Sequence, residues 1–248
     1  MRAKVIDISR WNLVGNYQEV KDAGIELVIM RATIGDFYTD IHFEQNWEGF
    51  GKVNMPRGIY HVVRPLTSAV LQFEYFKTVM GDRRPEVAPT LDIEVHEDQE
   101  PAIINAVCEE IVELFDDWYD DPDLLTWMYT RTNWWNKWVS GKGTLNVDWV
   151  GNHPLHIARY PWDLQPTQPE WPPETTDPGV LPDGFSIWDL WQWTEKGYVN
   201  GMDDPHHDKD VSRLPSSTFK NRFFKNNLEE RVSIIEDKLA LVGGILNI

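Results

Sequence analysis

The sequence lacks the features that would announce several common protein classes. It has a single cysteine, Cys108, so no intramolecular disulfide is possible, and its place in a helical pattern reads as a buried thiol. No run of about 18 uncharged apolar residues occurs, which argues against a membrane-spanning helix. The first residues, Met1 to Ser9, lack the basic segment, apolar core and cleavage site of a secretory signal. Basic residues are scarce: 23 Lys and Arg against 40 Asp and Glu give a net charge of −17. No Lys/Arg cluster offsets that field, so nucleic acid and anionic membrane surfaces drop out as leading partners. There is no G-x-S-x-G elbow, no H-E-x-x-H helix and no glycine-rich phosphate loop after the first strand. These absences disfavour a serine hydrolase, a zincin and a doubly wound nucleotide-binding sheet.

Tryptophan, by contrast, is abundant, with 13 in 248 residues. Many belong to a core, but flat aromatic faces also suit the C–H faces of sugars. Apolar, β-rich runs recur at regular intervals, and strands are expected at Lys4–Ile8, Leu27–Ala32, Gly58–Val63, Ala88–Val95, Leu124–Tyr129, Leu155–Arg159, Ser186–Trp193 and about Lys209–Ser212. Helical patterns fall between the early ones, at Tyr17–Ala23, Phe43–Lys52, Ser68–Met80, Pro101–Trp118 and Thr132–Val139. Pro101 suits a first helical turn, and Ile103, Ala106, Val107, Ile111, Leu114 and Phe115 are expected to form that helix's apolar stripe. Strand alternating with helix implies parallel strands, and about eight of them suggest a closed barrel. After the fifth helix, the proline-rich stretch from Pro161 to Pro182 has no helical period. The expected fold is therefore an α/β, TIM-like barrel of the (β/α)5(β)3 type with a short C-terminal helical tail. Residues 1–214 would form the barrel and 215–248 the extension. In that tail Leu228, Val232, Ile235, Leu239 and Val242 make a short heptad seam before Gly243-Gly244, which could dock on the barrel or self-associate through 228–242.

The strongest local signal for chemistry is Thr90-Leu91-Asp92-Ile93-Glu94-Val95. Side chains alternate along a strand, so Asp92 and Glu94 point the same way, about 6.6 Å apart, while Leu91, Ile93 and Val95 face the helices. Two acids on the barrel interior cannot both ionise comfortably, and at least one pKa must rise. That supplies the proton donor that glycosidic cleavage requires. Asp7 ends the first strand, and barrel sites collect residues from the C-terminal strand ends. Asp210 lies on the last strand, which in a closed barrel pairs with the first.

The chain resembles the glycoside hydrolase family 25 lysozymes from Val5 to about Leu214. The resemblance rests on an ordered set: Asp7-Ile8-Ser9-Arg10-Trp11; Val28-Ile29-Met30-Arg31-Ala32-Thr33 with Gly35; Asp40, Phe43 and Asn46; Gly58-Ile59-Tyr60-His61; Leu91-Asp92-Ile93-Glu94; His156-Ile157-Ala158-Arg159-Tyr160; Trp191-Gln192-Trp193; and Asp210-Val211-Ser212-Arg213. It implies the same five-plus-three barrel and hydrolysis of the β-1,4 bond between N-acetylmuramic acid and N-acetylglucosamine in peptidoglycan. It implies Glu94 as general acid with Asp7, Asp92 and Asp210 around the reacting sugar, and Tyr60, Trp191, Tyr160, Arg31 and Trp11 along the groove. No cofactor or metal is implied. Two routes stay open: attack by the substrate's own 2-acetamido group with Asp92 holding its N–H, or activation of water by one of the Asp residues.

A guanidinium locked against Glu94 would remove the acid from either route. His206-His207-Asp208 reads as a solvated turn, with a divalent metal site as the alternative. His61 should face away from Tyr60 in a hydrogen-bonded packing role, and Trp134, Trp135 and Trp138 read as core or groove wall. The rival to a lytic enzyme is a catalytically silent glycan-binding or phage structural module. The expected setting is a phage-type lysis system, with the chain in the host cytoplasm and then at the cell wall, or in a phage particle.

Overall fold

The computed structural model describes residues 1–160, 171–204 and 206–225. Eight strands close into a barrel: β1 (Arg2–Ile8), β2 (Leu27–Ile34), β4 (Arg57–Val62), β5 (Thr90–Asp92), β6 (Trp127–Thr130), β7 (Leu155–Ala158), β8 (Leu190–Gly197) and β9 (His207–Pro215). A two-residue strand, β3 (Tyr38–Thr39), extends β2. Apart from β3, which pairs antiparallel with β2, strands β1 through β8 run parallel around the ring, and β9 closes it antiparallel to both β8 and β1. The expected five-plus-three barrel is the observed fold. Five helices follow the early strands: α1 (Tyr17–Asp22), α2 (Phe43–Lys52), α3 (Ala69–Met80), α4 (Pro101–Tyr119) and α5 (Thr132–Trp138).

Local chemistry starts and stops these helices. Asn16 caps α1 by accepting from the N–H groups of Gln18 and Glu19, and Ser68 caps α3 through Leu71 N. Pro101 opens α4, where its missing N–H leaves no helical bond unmade. The buried stripe of α4 is Ile104, Cys108, Ile111, Val112 and Phe115, rotated from the expected one, and Ile103 is exposed. Cys108 lies within it, and burial pushes its thiol up to about 12. No described helix is long and apolar enough to cross a membrane.

Alternation along the strands sorts the interior from the shell. Ile6 and Ile8 of β1 and Leu91 and Ile93 around β5 pack outward into the sheet–helix core. Ala3, Val5 and Leu27 join a second cluster with Trp127 and Leu190. A sixth helix, α6 (Ser216–Phe223), adds Phe219 and Phe223 to that cluster, with Phe223 and Trp127 ring centroids 4.5 Å apart. Residues just past 214 thus pack with the barrel. The heptad seam from Leu228 to Val242 lies outside the described residues.

The β7–β9 side has no covering helix among the described residues. Trp188, Trp191 and Trp193 pack there with Leu155, Ile157 and Val211, and Trp171, Leu181 and Phe185 of the proline-rich connection rest against them. Part of the tryptophan excess therefore covers this side of the barrel.

Strand β5 is shorter than its apolar run suggested. One further bond, Ile93 N to Tyr129 O at 2.9 Å, carries the extended chain to Glu94. The backbone then turns through positive φ at Glu97 and Asp98, and Glu97 is held by Arg64 Nε at 2.7 Å and Leu66 N at 3.0 Å. Glu94 is thereby fixed at the mouth, just past the strand.

Candidate active site

A cleft of about 450 Å³ opens at the end of the barrel where the parallel strands terminate. That volume lies within the range of ~300–1,000 Å³ typical of small-ligand sites. Its walls carry Asp7, Asp92, Glu94, Glu195 and Asp208, together with Tyr60, Tyr129, Tyr160, Arg31, Arg131 and Trp11. Of the expected site residues, Glu94, Asp92, Asp7, Tyr60, Tyr160, Arg31 and Trp11 converge here. Trp11 is 67% exposed and stands at the rim under Arg10, whose guanidinium carbon lies 4.3 Å from the ring centroid.

Two expected residues do not line the open cleft, although Asp210 does lie next to Asp7, with ligand atoms of the two within 4.8 Å. Asp210 is fully buried in the barrel beneath the cleft, where its Oδ1 lies 2.7 Å from His156 Nε2. Asp208 occupies the rim instead. The reason is strand direction: β9 runs against β1, so its N-terminal end reaches the mouth. Asp7 pairs in register with Asp208, whereas Asp210 pairs with Val5, two residues deeper. Trp191 is also misplaced by the expectation. It neighbours Gln192, which faces the interior, so Trp191 points outward, where it is 1% exposed and donates from Nε1 to Arg159 O at 2.7 Å.

Gln192 organises the interior wall. Its Nε2 donates to Asp7 Oδ2 at 2.7 Å, and its Oε1 accepts from Tyr129 at 2.9 Å and Tyr160 at 2.5 Å. This fixes the Asp7 carboxyl and aligns two phenols along the cleft. Arg31 is committed to Asp40, Nε to Oδ2 at 2.7 Å, and Asp40 also accepts from Arg10 N and His42 N. His61 faces the outer core as expected, 2.7 Å from Thr33 Oγ1. Trp135 is buried in the core and Trp138 stacks on His96 at 4.2 Å.

The electrostatics follow from packing acids against one another away from water. Burial, reinforced by the charge of Asp210, raises Asp7 to about 8. Burial pushes Asp92 well above the carboxylate range, with Glu94 and Asp7 adding repulsion. Asp208 rises for the same reason, with Asp7 and Glu195 as its like-charged neighbours. Asp210 is raised by burial and by Asp208, while burial lowers His156 to about 4. Burial thus disfavours charge on both members of the Asp210–His156 contact. Glu94 is raised by burial, opposed by the charge of Arg131.

That last contact bears directly on whether an acid is present. Arg131 Nε lies 3.1 Å from Glu94 Oε2. The arginine side chain is 52% exposed and that of Glu94 26%, so the pair sits at a wet rim. Burial still outweighs the guanidinium and holds Glu94 above its ordinary value. The cleft thus presents a proton donor, hydrogen-bonded acids beside it and an aromatic rim.

Among the described residues, one trio of possible metal ligands comes together: Asp7, His156 and Asp210, with ligand atoms within 4.8 Å of one another. It is the floor of the same cleft, and the His156–Asp210 contact already occupies Nε2. His206 is exposed, while His207 and Asp208 are successive residues in β9 and face opposite sides, so these three do not converge.

Comparison with known proteins places this geometry. The model for glycosyl hydrolases family 25 matches residues 6–202, ending before Asp208. Lysozyme M1 of Streptomyces globisporus is 28% identical over 209 residues, covering 79% of this chain and 63% of its own length, so the chain spans less than two thirds of that relative. An N,O-diacetylmuramidase of a Chalaropsis species is 26% identical, covering 80% of this chain and 94% of its own. The crystal structure of a bacterial lysozyme from Streptomyces coelicolor superposes with a TM-score of 0.71 at 21% identity, covering 89% of this chain and 96% of the other.

Proposed function

The chain belongs to glycosyl hydrolases family 25, and on that premise we propose that it is an N-acetylmuramidase, cutting β-1,4 bonds between N-acetylmuramic acid and N-acetylglucosamine in peptidoglycan. The observation that carries the reading is the set of carboxyls from β1, the end of β5, β8 and β9 in one cleft, with Glu94 reachable and held toward protonation. Glycosidic cleavage needs that division: a neutral carboxylic acid for the leaving oxygen and a second group for the anomeric carbon.

Glu94 protonates the glycosidic oxygen as the C–O bond breaks. Asp92 Oδ1 is buried and has no hydrogen-bond partner among the described residues, so it offers an acceptor for the N–H of the 2-acetamido group. That acceptor favours attack on the anomeric carbon by the acetamido oxygen. Water then opens the cyclic intermediate and returns its proton to Glu94, giving net retention. If Asp7 or Asp208 instead activates water directly, the product anomer is inverted. NMR of the first-formed anomer separates the two.

The ion pair with Arg131 favours the second reading, a silent glycan-binding module, if it survives when substrate binds. The test is digestion of purified cell walls by the wild type and by Glu94→Gln, with reducing ends counted and the new reducing sugar identified. New muramic acid ends from the wild type, and their loss by a factor of about 10²–10⁴ in the variant, support the enzyme. Wall binding without new ends would establish the module. A role in phage-type cell lysis is the further step of this proposal, drawn from the family resemblance. Host lysis that requires co-expression of a membrane pore supports it, and lysis without any pore counts against it.

A further inference from the structure

Arg131 is not required by any step above, yet it stands in the cleft beside the acid. It is the residue between β6 and α5, occupying the N-cap position of that helix without a side-chain capping bond. Besides Glu94 at 3.1 Å, it lies over the ring of Tyr160, with 6.0 Å from guanidinium carbon to centroid. Glu195 acts on it electrostatically from β8.

Two arginines line the cleft, and they differ in availability. The Arg31 side chain is 10% exposed and already bound to Asp40, whereas that of Arg131 is 52% exposed. A carboxylate-bearing ligand entering among Asp92, Glu94, Glu195 and Asp208 would meet repulsion from most directions. Arg131 is the counter-charge within reach, and its planar fork matches a carboxylate in two parallel hydrogen bonds.

We infer that Arg131 receives a carboxylate of the substrate and exchanges Glu94 for it, so that binding of an anionic glycan releases the catalytic acid. This rests on the muramidase reading, because muramyl residues carry the required carboxylate. It is the lactyl group where that is unsubstituted, or an acid of the attached peptide where it is not. In the empty cleft the guanidinium opposes the protonation of Glu94 that burial favours. Once the substrate anion draws Arg131 away, the groups still facing Glu94 are Asp92 beside it, Tyr129 on β6 and Asp208 on β9. None carries positive charge, so Glu94 takes up the proton it must donate. The trigger and the specificity are then one contact.

The exchange predicts a particular pH signature. An opposite charge within about 4–6 Å lowers a carboxyl pKa by roughly 1–3 units, so the exposed rim position implies on the order of one unit here. The protonated form of Glu94 is the active one, so its ionisation sets the basic limb of the rate profile. That limb should lie about one pH unit higher for kcat, which reports the bound state, than for kcat/KM, which reports the free enzyme.

The experiment measures both profiles for the wild type, Arg131→Gln and Arg131→Lys. Three substrates are used: peptide-free glycan strands with the lactyl carboxyl free, the same strands with it amidated, and peptide-bearing strands. In Arg131→Gln the two limbs should coincide at the higher pH, KM for charged strands should rise about tenfold, and KM for amidated strands should change less than twofold. Arg131→Lys should recover the limb separation in part. An effect on free-lactyl strands identifies the lactyl carboxylate, and one confined to peptide-bearing strands identifies the peptide acid. Equal losses on charged and amidated strands, or an unmoved limb in Arg131→Gln, would overturn the exchange while leaving the muramidase reading intact. A wild type inert on all three substrates would overturn both.

Discussion

Replacing Asp7 by Asn should make the protein more resistant to alkaline destabilisation while disabling the cleft. Asp7 is 9% exposed, hydrogen-bonded to Gln192, and raised from 3.8 to about 8 by burial and by Asp210. A carboxyl whose folded pKa exceeds its unfolded one binds its proton more tightly when folded, so its contribution to stability declines as pH climbs between the two values. Below about pH 6.5 this decline is opposed by His61, His156 and His207, each lowered to about 4 by burial, whose neutral folded forms lose stability as pH falls. Above pH 8 the buried Lys209, lowered to about 8, begins to contribute with the opposite slope.

The informative window is therefore pH 6.5 to 8. There Asp7 alone spans about 1.5 units at roughly 1.36 kcal/mol each, or about 2 kcal/mol. For a chain of this size that corresponds to roughly 4–8 °C in melting temperature. Asp92, Asp208 and Asp210 steepen the decline, since each is raised in the same direction. Urea unfolding at half-unit pH steps measures it. The wild type should lose stability from pH 6.5 to 8, and Asp7→Asn, neutral throughout and able to keep the Gln192 contact, should lose about 2 kcal/mol less across that window. A wild-type curve that is flat or rising there, or an Asn variant with an unchanged slope, would refute the placement of Asp7 in a buried acid cluster.

The register of β9 yields a paired prediction. Asp208→Asn should reduce release of reducing ends on the order of 10²-fold, whereas Asp210→Asn, two residues deeper in the register and held against His156, should leave turnover within a few-fold. The reverse ranking in the same reducing-end assay would return the role to Asp210. The two tryptophans divide similarly. Trp191→Phe should lower stability by about 1–3 kcal/mol through its lost bond to Arg159 O and thinner packing, with KM for glycan strands unchanged. Trp11→Ala at the exposed rim should raise KM several-fold with little change in melting temperature, and the opposite pattern would exchange their roles.

The barrel was legible because its signal is periodic. A near-continuous apolar run such as Leu27–Ile34, buried along almost its whole length, can only be a strand covered on both faces. The faces of Asp92 and Glu94 followed from alternation alone. Strand direction was harder to see. Pairing of the last strand with the first in a closed barrel puts Asp210 beside Asp7 without fixing the sense of that pairing. A connection of only nine residues, Tyr198–His206, between β8 and β9 is too short for the usual parallel crossover and argues for reversal, which moves the rim to Asp208. Trp191 was assigned to the groove against the alternation that places Gln192 there. The Arg131–Glu94 contact joins two connections that no local pattern links, so only the closed barrel brings it about.

Reversal of the last strand also explains how so many acids come to share one cleft. Parallel strands β1 and β5 each bring a carboxyl to the C-terminal rim, while the β8–β9 pair brings Glu195 from one strand and Asp208 from the other. Packing them together opposes folding, because each raised carboxyl represents an ionisation that the folded state suppresses. The clusters around Phe76 and Phe115 outside the sheet and around Trp127 and Phe219 inside it provide the apolar burial that tolerates this. Neutral replacements of the raised acids Asp7, Asp92 and Asp208 should therefore stabilise the fold above pH 6.5 as they impair hydrolysis, the trade expected where a site holds charges that the core alone would expel.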